Sequence, residues 1–367
     1  MMFITSWLTL GILSLVGLSQ VAGLNIQGPW DINFTADPDE DMNTCKPYKD
    51  KIEQAYDQVG EIVSTTWVSL ESLRYDRPEA DEAVTFARDL WDLADRTLQA
   101  FFGVSVNPAN AQTGMWWQQI QDVFEPMDKT LQGDVNRAKY KPTLKPAIAC
   151  GTKGWRYIAP DDPDPEDPEE NPLRDTKDPK KASLFRETGA WYWNHRYLWM
   201  PRELNGVGSN TEEINLCTGA RGVTSVQEDL ITICDSALGE QATLDWMRVS
   251  LGTHLDDITG NIMSYNLAKV IDPQAVNSGR QLLYIRSDNP DISTPYPGPP
   301  DNPNKPLIAY GVPYILWLAN GHPKAKQPRP DLVVNTADAY SNYAMANYLD
   351  QWDWSKDGFA DWWSGTY

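Results

Sequence analysis

The chain has 367 residues, a formal net charge of −20 and 41% hydrophobic residues, with 16 tryptophans among them. That charge argues against nucleic acid, heparin-like polymers and anionic membranes as partners. The apolar content is enough to bury a substantial core.

Met1 to Gly23 carries no charged residue, and Ile4 to Val16 is mostly apolar. Val21-Ala22-Gly23 offers small residues at a cleavage point, so residues 1–23 read as a secretory signal peptide that lacks the usual basic start. A membrane anchor is the competing reading, but the apolar run is short for a span and no basic flank follows it. The mature, soluble chain is expected to begin near Leu24. The sequon Asn33-Phe34-Thr35 then becomes a glycosylation site at Asn33. Four cysteines, Cys45, Cys150, Cys217 and Cys234, suit the oxidising compartment of a secreted protein. Cys217 and Cys234 are close enough to clip a local loop. Cys45–Cys150 would then tie together the ends of the amino-terminal region, although sequence leaves two other pairings open.

Apolar residues at steps of three and four predict a helix from Lys46 to Tyr75, through Ile52, Tyr56, Val59, Val63, Trp67, Leu70 and Leu73. A second runs from Ala83 to Phe102 and ends at Gly103. A third covers Met115 to Met127, ending near Pro126. Residues 24–144 are therefore expected to form a helical lobe. After Lys145 the pattern changes. Ala147–Cys150 and Trp155–Ile158 read as short strands around Gly151 and Gly154. Pro160 to Pro172 is an acidic, proline-punctuated stretch that reads as a solvated loop, since regular calcium-ligand spacing is absent. Trp191, Tyr192, Trp193, Tyr197 and Trp199 crowd around His195. Glu213–Cys217 reads as a strand and Leu244–Ile258 as a helix. Residues 289–306 form an irregular excursion. Asp338–Leu349 closes as a helix capped by Thr336 or Asn335, and Trp352, Trp354, Trp362 and Trp363 give residues 351–367 an aromatic character.

The octet Ser250-Leu251-Gly252-Thr253-His254-Leu255-Asp256-Asp257 has the look of the second half of a His-Glu-x-x-His zinc motif. Such a motif sets two imidazoles one helical turn apart and a glutamate beside the first to take a proton from zinc-bound water. The chain has three histidines, His195, His254 and His322, and no two lie within one helical turn.

Four separated segments carry a family resemblance: Ile214-Asn215-Leu216-Cys217, Gly252 to Gly260, Ala309-Tyr310-Gly311-Val312-Pro313 with Leu318-Ala319, and Asn335 to Tyr340 with Tyr343-Ala344. In this order the sequence resembles the deuterolysin-like, or aspzincin, zinc metalloendopeptidases. It is most similar to their large secreted fungal branch, the lysine-specific metalloendopeptidase-like proteins. The resemblance covers roughly residues 145–350. It implies an α+β, zincin-like fold, mainly helical with a small sheet, preceded by the helical lobe. It places the second zinc histidine on His254 and keeps the family's tyrosine as Tyr310. The first histidine falls on Ser250, the general-base glutamate on Leu251 and the third ligand on Leu307, none of which can perform the role. Leucine at Leu251 and Leu307 would fill the vacated cleft with apolar groups.

The expected function is therefore that of a secreted pseudopeptidase acting by binding peptide, protein or cell-wall glycan, with no cofactor. Two alternatives stand beside it. In one, Asp256, Asp257 or His322 approaches His254 and rebuilds a zinc site. In the other, exposed tryptophans stack on carbohydrate.

Overall fold

The computed structural model describes residues 23–79, 85–106, 111–131, 147–179, 181, 185–193, 197–201, 216–217, 221–225, 230–245, 247, 249–259, 262–264, 267, 311–321 and 328–362. The chain is a mixture of helices and small sheets, as an α+β reading requires. After a short edge strand β1 (Asp31–Ile32) and a 3-10 turn at Lys46–Tyr48 comes the long helix α1 (Lys49–Ser72). Two further helices follow, α2 (Thr85–Phe102) and α3 (Ala111–Leu131). Helix α2 stops where expected, because Gly103 takes φ +64° and lies so close to the Ala319 carbonyl that a Cβ would collide with it.

Helix α3 does not end at Pro126. It runs through that proline to Leu131, although proline removes one main-chain bond and ordinarily kinks a helix. Ile120, Val123, Phe124, Met127 and Leu131 are all buried on its inner face. Burial of that stripe outweighs the missing bond, which is the override that periodicity over a shorter window missed.

Strands β2 (Ala147–Cys150), β6 (Gly222–Ser225) and β7 (Leu230–Ile233) join β1 in a sheet of order β1-β2-β7-β6. The first three strands run parallel, with Asp31 opposite Ala147 and Ala147 opposite Leu230, and β6 is antiparallel to β7. Alternation splits the sheet cleanly. Ile148, Cys150, Ile231 and Ile233 face the main core, whereas Ala147, Ala149 and Leu230 face a smaller one. Strands β3 (Trp155–Ile158), β4 (Ala190–Trp193) and β5 (Leu198–Pro201) form a separate antiparallel sheet. Short helices α4 (Asp235–Leu238) and α5 (Leu255–Thr259) come next. Helices α6 (Val312–Asn320), α7 (Pro330–Val333) and α8 (Ala337–Tyr348) then lead to the pair β8 (Trp352–Asp353) and β9 (Asp361–Trp362).

Helices α1, α2 and α3 share one core with α6 and α8. Phe102 and Phe124 meet Tyr340 and Tyr343 at ring separations of 5.0 to 5.9 Å, so three helices interlock through tilted and edge-on aromatic contacts. Cys45 pairs with Cys150 and Cys217 with Cys234. The first bridge spans 105 positions and stitches the entry to α1 onto β2. In the chain-entropy picture, closing a loop of that size is worth about 4–5 kcal/mol.

One polar side chain inside this core has an architectural role. Gln58 on α1 is buried. Its amide receives the Leu244 N–H at 2.7 Å, donates to the Leu244 carbonyl at 3.0 Å and accepts from Ser264 Oγ at 2.5 Å. It therefore holds the irregular stretch between α4 and α5 as a neighbouring strand would. Gln58→Ala leaves both Leu244 main-chain groups without partners, and the expected loss is about 2–3 kcal/mol, measured by urea unfolding.

Asp95 on α2 accepts hydrogen bonds from Gln99 Nε2 at 2.6 Å and Val106 N at 3.4 Å. Burial outweighs both bonds and holds its carboxyl above the ordinary carboxylate range. A carboxyl raised on folding stabilises the fold below its unfolded value, near pH 4, and that contribution is lost as pH rises through the folded value. Asp95→Asn should therefore gain on the parent chain between pH 4 and pH 7. Parallel unfolding curves across that window will show a widening gap, and a constant gap would contradict the assignment.

Candidate functional site

Around residues 250–257, the local chain path differs from the one the sequence suggests. The described segment 249–254 forms no helix, and α5 starts only after His254. The cause is local. Gly252 adopts φ +79°, which ends any helical path through it. Thr253 N donates to the Ser250 carbonyl at 3.0 Å, and the Ser250 and Thr253 hydroxyls are 3.1 Å apart, so 250–253 close a turn. Ser250 and His254 consequently do not share a helix face. Leu251 does not fill a cleft either: it is 54% exposed, because the turn directs it to solvent.

The next residues are captured by the carboxyl-terminal segment. Gly252 N donates to Ala360 O at 2.8 Å, Ala360 N to Thr253 O at 2.8 Å, and Leu255 N to Gly358 O at 2.9 Å. His254 sits in the middle of this ladder, opposite Phe359. Its side chain is 13% exposed, with the imidazole edge-on to the Phe359 ring at 4.7 Å. Both ring nitrogens are taken. Nε2 lies 3.1 Å from the Asp357 carbonyl, which can only accept, and Nδ1 receives the Asp256 N–H at 3.2 Å. These partners define the Nε2–H tautomer and leave no free lone pair.

Two carboxylates lie nearby. Asp256 accepts the Val312 N–H at 3.1 and 3.3 Å through its two oxygens, and Asp338 Oδ2 accepts the Gly311 N–H at 2.6 Å. Between them they satisfy the first free amides of α6, where the helix dipole favours negative charge. Pro313 just inside α6 signals a helix start in sequence, but nothing local to it could name Asp256 and Asp338 as acceptors, 56 and 27 residues from the Val312 and Gly311 amides. Asp256 Oδ2 is 3.8 Å from His254 Nδ1, while Asp257 is exposed. A zinc ion does not fit this donor set. The histidine lone pair meets a main-chain amide, the Asp256 oxygens face another, and Ser250 points into its own turn. Among the described residues no group of three or more His, Cys, Asp or Glu is arranged to hold a metal.

Leu307, Tyr310, His195, His322 and Trp363 lie outside the described residues. Of the segment expected as a strand at 213–217, only Leu216 and Cys217 are described, and they form a turn. Most of the aromatic cluster at 191–199 is core, since Trp191, Tyr192, Trp193 and Trp199 are buried, whereas Tyr197 is exposed. Trp352 and Trp354 are buried too, whereas Trp362 is 64% exposed and rests on Trp352 at 4.9 Å. Phe359 at 47% exposure and Leu251 are exposed apolar residues on or beside the paired segments that hold His254, and Trp362 follows in β9.

The acidic stretch after Pro160 is a largely exposed loop, as its composition suggests, with one buried anchor. Asp164 is buried against Lys181, whose ammonium lies 3.1 Å from Asp164 Oδ2, 2.5 Å from Glu166 Oε2 and 4.6 Å from the Trp199 ring centre. The lysine supplies the positive charge there. Asn33 is also engaged, with Nδ2 donating to Asp41 Oδ2 at 3.0 Å and Oδ1 accepting from Thr35 N at 3.0 Å.

Comparison with known protein families, with curated proteins and with solved structures finds no match to this chain.

If His254 is a pin between the 250–255 segment and the carboxyl-terminal segment, His254→Ala should cost about 1–2 kcal/mol of stability. Its effect should be non-additive with Phe359→Ala in a double-mutant cycle. Additive losses would mean the two rings are independent.

Proposed function

We propose that this chain is a secreted protein on a zincin-like, metallopeptidase-related framework that acts by binding a partner rather than by zinc-dependent hydrolysis. The observation that carries the reading is the commitment of both His254 nitrogens to main-chain groups, with Gly252 turning the chain just before it. A residue placed as a metal ligand by resemblance serves as a structural fastener instead.

The framework half of the proposal draws support from convergence. Three of the segments that carry the resemblance, 252–259, 311–313 and 336–340, meet through Asp256 to Val312 and Asp338 to Gly311. Two disulfides suit an oxidising compartment, and no described helix is long and apolar enough to cross a membrane. Peptide, protein and cell-wall glycan remain the partner classes, and Leu251, Phe359 and Trp362 are the surface offered to them. An exposed tryptophan backed by a second ring suits stacking on a sugar or packing against an apolar side chain.

The reading is tested on the purified protein by metal analysis, a chelator-controlled assay on an unfolded protein substrate, and Trp362 fluorescence titrated with peptides and cell-wall oligosaccharides. The expectation is no stoichiometric zinc, no chelator-sensitive cleavage, and a saturable fluorescence change that Trp362→Ala removes. One zinc per chain with cleavage abolished by chelator would refute it.

A further inference from the structure

The nitrogen of Leu24 donates to Asp57 Oδ1 at 2.6 Å, a contact between residues 33 apart in sequence. Asp57 stands on α1 directly after the buried Tyr56. Among the described residues no basic side chain pairs with it. Gly60 is three residues further on, on the same helix face. A Cβ at Gly60 would fall 2.2 Å from Leu24 Cδ1. Glycine inside a helix costs about 1 kcal/mol relative to alanine, and here the missing side chain leaves the seat that Leu24 occupies. A Cβ on Gly23 would come within 3.5 Å of Asp57 Oδ2. One oxygen of the carboxylate therefore addresses Leu24 N, and the other faces the residue before it.

We propose that the Gly23–Leu24 bond is a maturation site, and that Asp57 and Gly60 form a built-in receptor for the α-ammonium group its cleavage creates. The residue at which the sequence suggests the mature chain begins is the residue whose nitrogen already meets a carboxylate. Hydrolysis by a leader-removing endopeptidase adds one water across the bond: the carboxyl departs with Gly23, and the Leu24 nitrogen becomes an amine, protonated at neutral pH. The nitrogen then carries a positive charge and two further N–H donors, and removal of Gly23 opens Asp57 Oδ2 to them. A neutral amide–carboxylate bond becomes a charge-assisted pair, roughly twice as strong. The pair fixes the start of a strap whose Ile26 and Trp30 are buried and whose β1 forms one edge of the four-stranded sheet.

This inference rests on the secretory reading of residues 1–23 and not on the binding reading. The full chain is produced in a secreting eukaryotic host and its first residue determined by mass spectrometry, with Leu24 expected. The mature chain is then compared with Asp57→Asn and with a chain keeping one extra residue before Leu24. At pH 7.5, acylation of the Leu24 amine should be slowed about tenfold in the mature chain relative to Asp57→Asn, the factor for one pKa unit. An α-amino group raised on folding contributes stability below its unfolded value and loses it as pH rises through the folded value. The mature chain should therefore lose thermal stability between pH 7 and pH 10 more steeply than the extended chain. That comparison stands even where Asp57→Asn folds poorly. A first residue other than Leu24 overturns the maturation site. Leu24 first, with an amine as reactive as in Asp57→Asn and no steeper pH dependence, overturns the receptor. Neither outcome bears on the chelator result.

Discussion

Leaving a buried amide unbonded is costly, and Gln58 shows how much structure can hang on one that is fully engaged. Its amide holds both main-chain groups of Leu244 and the Ser264 hydroxyl. The polypeptide between α4 and α5 has little secondary structure of its own, so without that clamp nothing regular would hold it against α1. Tyr348 extends the arrangement: its hydroxyl donates to Glu61 and lies within reach of Gln58, linking α8 to the same helix face. Burial, with help from Glu61, pushes the Tyr348 phenol up to about 12. The site region is thus positioned by side chains on a helix that lies far away in sequence.

The long elements were legible because a repeating physical cause produces them. The apolar face of α1, the Gly103 stop of α2, strands β2 and β3 and the closing helix α8 all follow from periodicity or turn chemistry. The spacing of the cysteines favoured the observed pairing but left two others open. What the sequence did not reveal was long-range in origin. Pro126 reads as a terminator until the packing of Phe124 and Met127 is known. Lys181 reads as one more surface cation until it is found between Asp164, Glu166 and Trp199. Gly60 carries no signal in sequence until Leu24 is seen beside it.

The motif at 250–257 shows how identity at a few positions can mislead about local geometry. A zinc helix needs an uninterrupted turn between its two ligands, because only that spacing stacks both imidazoles on one side. Gly252 with positive φ forbids it, and the main chain released from helical bonding pairs with 358–360 instead. His254 keeps its place in the order of residues but answers to a different set of neighbours. Its ring is drawn into a network of main-chain groups and the Phe359 ring, and that network is structural.

The pairing of 252–255 with 358–360 also constrains the order in which the chain can assemble. Trp354 is wholly buried, and Asp353 is buried beside Arg96 of α2 at 3.0 Å. Residues 352–360 thus close the core from outside, while β1 waits for β2 more than a hundred residues later. Contacts of such sequence separation must pay loop-closure entropy before they return any energy. During synthesis the helical face of α1 is made early and covered late. Until α8 and residues 352–360 have been made, the apolar faces of α1 and α2 are incompletely covered, which exposes the nascent chain to misassembly.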